Sequence, residues 1–252
     1  MEFLPKDTIA QIVSCVEDAF GDEIAADVQR NGLLTFNSPA RRSWDFLNTK
    51  LLHTLNVGNC TTVKADRNWQ MVVIFEKTTE CILTFMKESR FSELRRNQRK
   101  RNHMHYVEIL AKQFNSDVIP GYEQMAFYPH IFRDSTDEVQ SKVQDILANF
   151  HTGLDVVQNH ILVLFEANGY RLESIRAVKV TPQLDVAANY DDDWSGYISN
   201  APSIVVDRVS NPDSRKNNPM GKLALGPKAL LRQKTKLELK TGQEENTNLQ
   251  SS

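Results

Sequence analysis

Apolar positions at helical spacing open the chain. Ile9, Ile12, Val13, Val16 and Phe20 recur at i, i+3, i+4 and predict a helix over 8–29, interrupted at Gly21 and capped by Asp7 or Thr8. Trp44, Leu47, Leu51 and Leu55 form a second stripe, predicting a helix that starts at a Ser43 cap and ends at Gly58. The period then changes. Cys60–Ala65 is β-branched and reads as a strand. Trp69–Glu76 and Cys81–Met86 are almost unbroken apolar runs around the polar turn Lys77-Thr78-Thr79-Glu80. Alternation disappears when both faces of a strand are covered, so this hairpin is expected at the centre of a sheet.

Residues 89–101 and 102–114 predict one or two further helices, with Tyr106, Ile109, Leu110 and Phe114 as the apolar face of the second. A turn at Pro120-Gly121 leads into a loop with Tyr122, Phe127, Tyr128, Pro129 and Phe132. A helix follows over 136–150, with Thr136 as cap, Val139, Val143, Ile146, Leu147 and Phe150 on one side, and Gly153 closing it. Val156–Ala167 and Tyr170–Val180 flank Asn168-Gly169, the preferred pair for a type I′ hairpin turn. Residues 181–202, including Asp191-Asp192-Asp193-Trp194, read as irregular, and Ile204-Val205-Val206 as a last strand. From Asn211 the chain is polar, with eight basic and four acidic residues, and reads as a flexible tail over 211–252. These elements predict an α+β fold. An antiparallel or mixed sheet, built from two hairpin blocks, packs on helices in one domain over 1–210, with a division into two subdomains near 118–134 as the alternative.

Composition changes this picture little. The 252 residues are 40% hydrophobic and 25% charged, with a net charge of −2, so any polyanion binding must come from a local patch. Cys15, Cys60 and Cys81 lie in apolar patterns without CxxC spacing, which points to a reducing compartment. The start Met1-Glu2-Phe3-Leu4 lacks a signal-peptide pattern, and no apolar run approaches a membrane span. A cytoplasmic protein that does not engage a membrane is expected. No GxxxxGK, GxGxxG, GxSxG or HExxH is present, and no cofactor or metal is expected.

The local patch is plain. Lys87 to His105 holds seven Lys/Arg and two Glu. A helix carrying Arg90, Arg95, Arg96, Arg99, Lys100 and Arg101 could lay a positive face on phosphates, because the guanidinium fork donates two hydrogen bonds at once. The plainer reading is a solvated helix face. His103, His105 and Tyr106 follow directly. Arg96-Asn97, followed after five intervening residues by His103, matches the loose ribonuclease pattern Arg-polar-x(4–6)-His of dimeric all-helical nucleases. A histidine can move a proton near neutral pH and an arginine can stabilise a pentacovalent phosphate. Arg96, His103, His105 and Tyr106 are therefore the candidate catalytic set, against the alternative of a core tyrosine and two helix-end histidines. Asp66 with Glu76-Lys77 resembles in part the Asp…(Asp/Glu)-x-Lys pattern of metal-dependent nucleases, but adjacent residues on a strand face opposite ways.

Residues Val72–Phe91, with His105-Tyr106 after them, resemble an uncharacterised bacterial and phage-associated domain family found near XRE-type or ImmA/IrrE-type regulators. The resemblance covers roughly residues 60–115 and implies a toxin–antitoxin or phage-defence role. The expected function is an effector that engages RNA or another polyanion, with a metal-independent ribonuclease as its chemistry. The alternative is a non-catalytic interaction module whose basic helix docks an acidic, antitoxin-like partner protein.

Overall fold

The computed structural model describes residues 4–32, 39–55, 58–65, 70–118, 134–150 and 154–199. Three helices come first: α1 (Lys6–Phe20), α2 (Asp22–Asn31) and α3 (Pro39–Leu55). Strands β1 (Cys60–Ala65), β2 (Met71–Glu76) and β3 (Cys81–Lys87) follow, then α4 (Glu88–Arg96), a 3-10 turn over Gln98–Lys100, α5 (Tyr106–Phe114) and α6 (Thr136–Leu147). Strands β4 (Asn159–Asn168), β5 (Arg171–Val180) and β6 (Val186–Asp193) complete the described elements. The described residues all fall within one unit of the chain, Met1–Val206. Among them no helix is long and apolar enough to cross a membrane.

The six strands form one sheet in the order β1-β2-β3-β4-β5-β6. Each half is an antiparallel meander, and the halves join through the parallel pair β3 and β4, registered from Cys81 opposite Asn159 to Lys87 opposite Phe165. The expected α+β fold is thus present, and its sheet is mixed. A parallel pair needs a long crossover, and α4, α5 and α6 supply it. The first hairpin is central because both of its faces are covered. Ile74, Leu83 and Phe85 pack under α1 and α3, while Val73, Phe75 and Ile82 pack under α5 and α6. On that second face α4 and α5 also bury Phe91, Leu94, Val107 and Ala111 against Leu162, Leu164 and Val178.

Several boundaries differ from expectation for local reasons. Pro5, not Asp7 or Thr8, is the N-cap of α1, and no side chain caps it. Helix α3 starts at Pro39, so Ser43 lies inside it and is buried. Ser135 caps α6 in a reciprocal capping box with Glu138, one residue before the expected Thr136. The second hairpin turns on Gly169-Tyr170, because Asn168 still pairs with Arg171. Gly169 alone takes positive φ there, +63°, as a turn with glycine first requires. A register shift at Glu166/Ala167 leaves Glu173 as an extra residue on β5 beside this turn. Asp191–Asp193 lie in β6 rather than in an irregular loop. Gly21 breaks the first helix as expected, and a side chain would not fit there: a Cβ would stand 2.6 Å from Glu17 O, one turn back, and 3.1 Å from Tyr170 O across the fold. The expected loop near Pro120-Gly121, Gly153, the strand at 204–206 and the tail 211–252 lie outside the described residues.

Candidate nucleic-acid interface

The basic run is not one helix. Helix α4 ends at Arg96, Asn97 follows, Gln98–Lys100 make a 3-10 turn, and Arg101 is extended. Phe91 and Leu94 anchor α4 to the sheet, which leaves its cations on the outer side. Three of the six cations between 90 and 101 meet carboxylates. Arg90 pairs with Glu93 at 2.6 Å, Arg95 with Asp185 at 2.6 Å, and Arg101 with Glu108. Arg96, Arg99 and Lys100 are exposed and form no ion pair among the described residues.

Two buried carboxylates hold the loop that follows α4 and presents Arg99 and Lys100. Glu108, on α5, has no exposed surface. It accepts from Arg101 Nη1 at 2.6 Å, Arg101 Nη2 at 2.7 Å, Gln98 Nε2 at 2.7 Å and the His105 backbone N–H at 2.7 Å. Gln98 Nε2 also reaches Pro182 O at 3.4 Å, tying the loop to the β5–β6 turn. The side chain of Asp134, just before α6, also has no exposed surface. It accepts from the Met104 backbone N–H at 2.6 Å, from His103 Nδ1 at 3.3 Å and from Lys142. Burial alone would raise the Asp134 pKa, but the bonds from Lys142, Met104 and His103 outweigh it and hold the value at about 2.

The candidate catalytic residues occupy distinct settings. His103 is 67% exposed. His105 is the N-cap of α5, and its Nδ1 accepts from the Val107 N–H at 3.4 Å, in a capping box with Glu108. Its ring lies against Tyr106, with centroids 4.5 Å apart. The Tyr106 hydroxyl donates to Phe85 O at 3.3 Å, and burial pushes its pKa up against a lowering hydrogen bond with Thr84. Arg96 is exposed at the end of α4.

The weaker sequence patterns resolve into structural roles. Glu76 accepts from Thr78 N at 3.1 Å and from Thr79 N and Oγ1, both at 2.7 Å, closing the β2–β3 turn. Burial opposes its ionisation, yet the Thr79 and Thr78 bonds keep its pKa below the usual range. Asp66 lies outside the described residues. Asp191 pairs with Arg176, Asp192 accepts from Trp194 Nε1, and Asp193 accepts from the Ser195 N–H. Among the described residues no group of three His, Cys, Asp or Glu could hold a metal ion. His160 is fully buried, with Nε2 2.9 Å from Thr84 Oγ1, and burial lowers its pKa to about 3.

Sequence reasoning missed Gln98, Glu108, Asp134 and Lys142. The three-residue spacing of His105 and Glu108 was a usable signal, since it is a capping-box spacing with histidine in place of Ser or Thr. Asp134 carries no local signal, because it meets His103 only through the tertiary fold. The fold and this site define an α+β protein with a mixed sheet between helical layers and a pinned basic loop on one face. The chain belongs to a family of unknown function, DUF5986, whose model matches residues 2–244. No curated protein and no solved structure matches it.

Proposed function

We propose that this protein is an RNA-engaging effector of a toxin–antitoxin or phage-defence pair, and that Arg96, Arg99 and Lys100 contact the phosphates. One observation carries the binding reading. Arg99 and Lys100 are exposed without an ion pair among the described residues on a loop fixed by two buried carboxylates, and Arg96, equally exposed and unpaired among them, ends the helix that leads into it. A merely solvated charged face has no need of such anchoring. A fixed loop loses less conformational entropy on binding than a free one. The effector role rests on the resemblance of residues 72–91.

Fluorescence anisotropy with a single-stranded RNA oligonucleotide tests the binding. Three phosphate contacts at roughly −0.7 each give a slope of log K against log salt of about −2. Replacing Arg96, Arg99 and Lys100 together with Gln should abolish the slope and leave the unfolding midpoint unchanged. Absence of RNA binding at low salt, with retained binding to polyglutamate, would refute the RNA reading and favour an acidic partner protein.

A further inference from the structure

His103 differs from a surface histidine in what stands behind it. Its ring is largely in solvent, yet its Nδ1 lies 3.3 Å from the oxygen of a carboxylate with no exposed surface. Asp134 cannot wander, because the Met104 N–H and Lys142 also bind it. An ionised carboxylate only accepts, so Nδ1 carries the proton and donates. The neutral imidazole must then keep its lone pair on Nε2, the atom left to meet a bound molecule. Arg99 and Lys100 stand exposed a few residues upstream on the same pinned loop. A buried acid that fixes the tautomer of an exposed base, on one loop with cations unpaired among the described residues, is the arrangement that general-base phosphoryl chemistry needs.

We infer that His103 is the general base of a metal-independent RNA transesterification, with Asp134 as the residue that positions it. This rests on the RNA-binding reading above and gives it a chemistry. His103 Nε2 takes the proton of a ribose 2′-hydroxyl. The 2′ oxygen forms a bond to the adjacent phosphorus and the bond from phosphorus to the 5′ oxygen breaks. Solvent protonates the departing 5′ oxygen, and His103 returns its proton to solvent. The products are a 2′,3′-cyclic phosphate and a 5′-hydroxyl end, with no oxidant or co-reactant. Asp134 meets His103 Nδ1, Lys142 shares that carboxylate, and Arg101 Nη1 lies 3.4 Å from the His103 backbone O.

Two independent readouts test this on the full chain. Long-range nitrogen–proton NMR of labelled histidine should show His103 protonated at Nδ1 in the wild type. In Asp134→Asn the proton should move toward Nε2. With a single-stranded RNA oligonucleotide in EDTA, His103→Ala should lower cleavage by about 10²-fold or more. Asp134→Asn should lower kcat with KM for RNA little changed. If Asp134→Asn does not fold, His103→Gln gives the same cleavage test on an exposed side chain. Wild-type RNA binding without cleavage overturns this inference and leaves the binding reading standing, while absence of RNA binding overturns both. An Nε2–H tautomer in the wild type, or unchanged kcat in Asp134→Asn, removes Asp134 from the mechanism.

Discussion

Glu108→Gln is the sharpest perturbation of the loop. The substitution keeps the shape of the side chain and removes its charge. Glu108 now accepts from four donors at 2.6–2.7 Å: both Arg101 Nη atoms, Gln98 Nε2 and the His105 N–H. A glutamine offers one oxygen, and its amide nitrogen would face at least one of those donors. Arg101, with 23% of its side chain exposed, would lose its two-pronged pairing with this carboxylate. Removing one partner of a buried pair costs about 3–5 kcal/mol, and partial exposure of Arg101 places this case near the low end, about 3 kcal/mol. For a domain of this size about 1 kcal/mol shifts Tm by roughly 2–4 °C, so a fall of roughly 6–12 °C is expected. Urea unfolding followed by circular dichroism should show a lower midpoint at unchanged m. A double-mutant cycle with Arg101→Met should return a coupling of about 1 kcal/mol or more, since the two residues touch. A Glu108→Gln midpoint equal to wild type, or zero coupling, would refute the anchoring of the loop by this carboxylate.

Two further outcomes follow from burial. His160 titrates at about 3 in the fold, against an ordinary value of 6.5, so between these values the unfolded chain binds more protons. The stability of the neutral ring is full above 6.5 and is lost as pH falls; near pH 5 the loss is about 2 kcal/mol. Urea midpoints at pH 7 and pH 5 should therefore diverge in wild type more than in His160→Gln, and equal divergence would count against this origin. Gly21→Ala should destabilise the fold by about 1–3 kcal/mol, because its Cβ meets the rigid backbone oxygens of Glu17 and Tyr170. An unchanged melting temperature for that variant would show that the α1–α2 junction yields freely.

Sequence by itself determined the elements whose cause is local. The helical stripe of Ile9, Ile12, Val13 and Val16, the unbroken runs of β2 and β3, and the hairpin near Gly169 all follow from periodicity and turn chemistry. They sufficed to name an α+β fold with its first hairpin at the centre. The tertiary structure decided what depends on residues far apart in the chain. Parallel pairing of β3 with β4 joins segments separated by the whole crossover, and nothing within either strand encodes the partner. Strand β6 was invisible because its edge position lets Asn189, Tyr190 and Asp191–Asp193 replace the apolar alternation that marks a strand. The cations Arg90, Arg95, Arg96, Arg99, Lys100 and Arg101 were all legible as a basic run, but only the fold divides them. Asp185 and Glu108 sit where packing brings a carboxylate within 3 Å of Arg95 and Arg101, and Glu93 reaches Arg90 along the helix. The same holds for His103. Its residue type announces a base, but the carboxylate that orients it comes from Asp134, 31 residues on, and long-range packing sets that meeting.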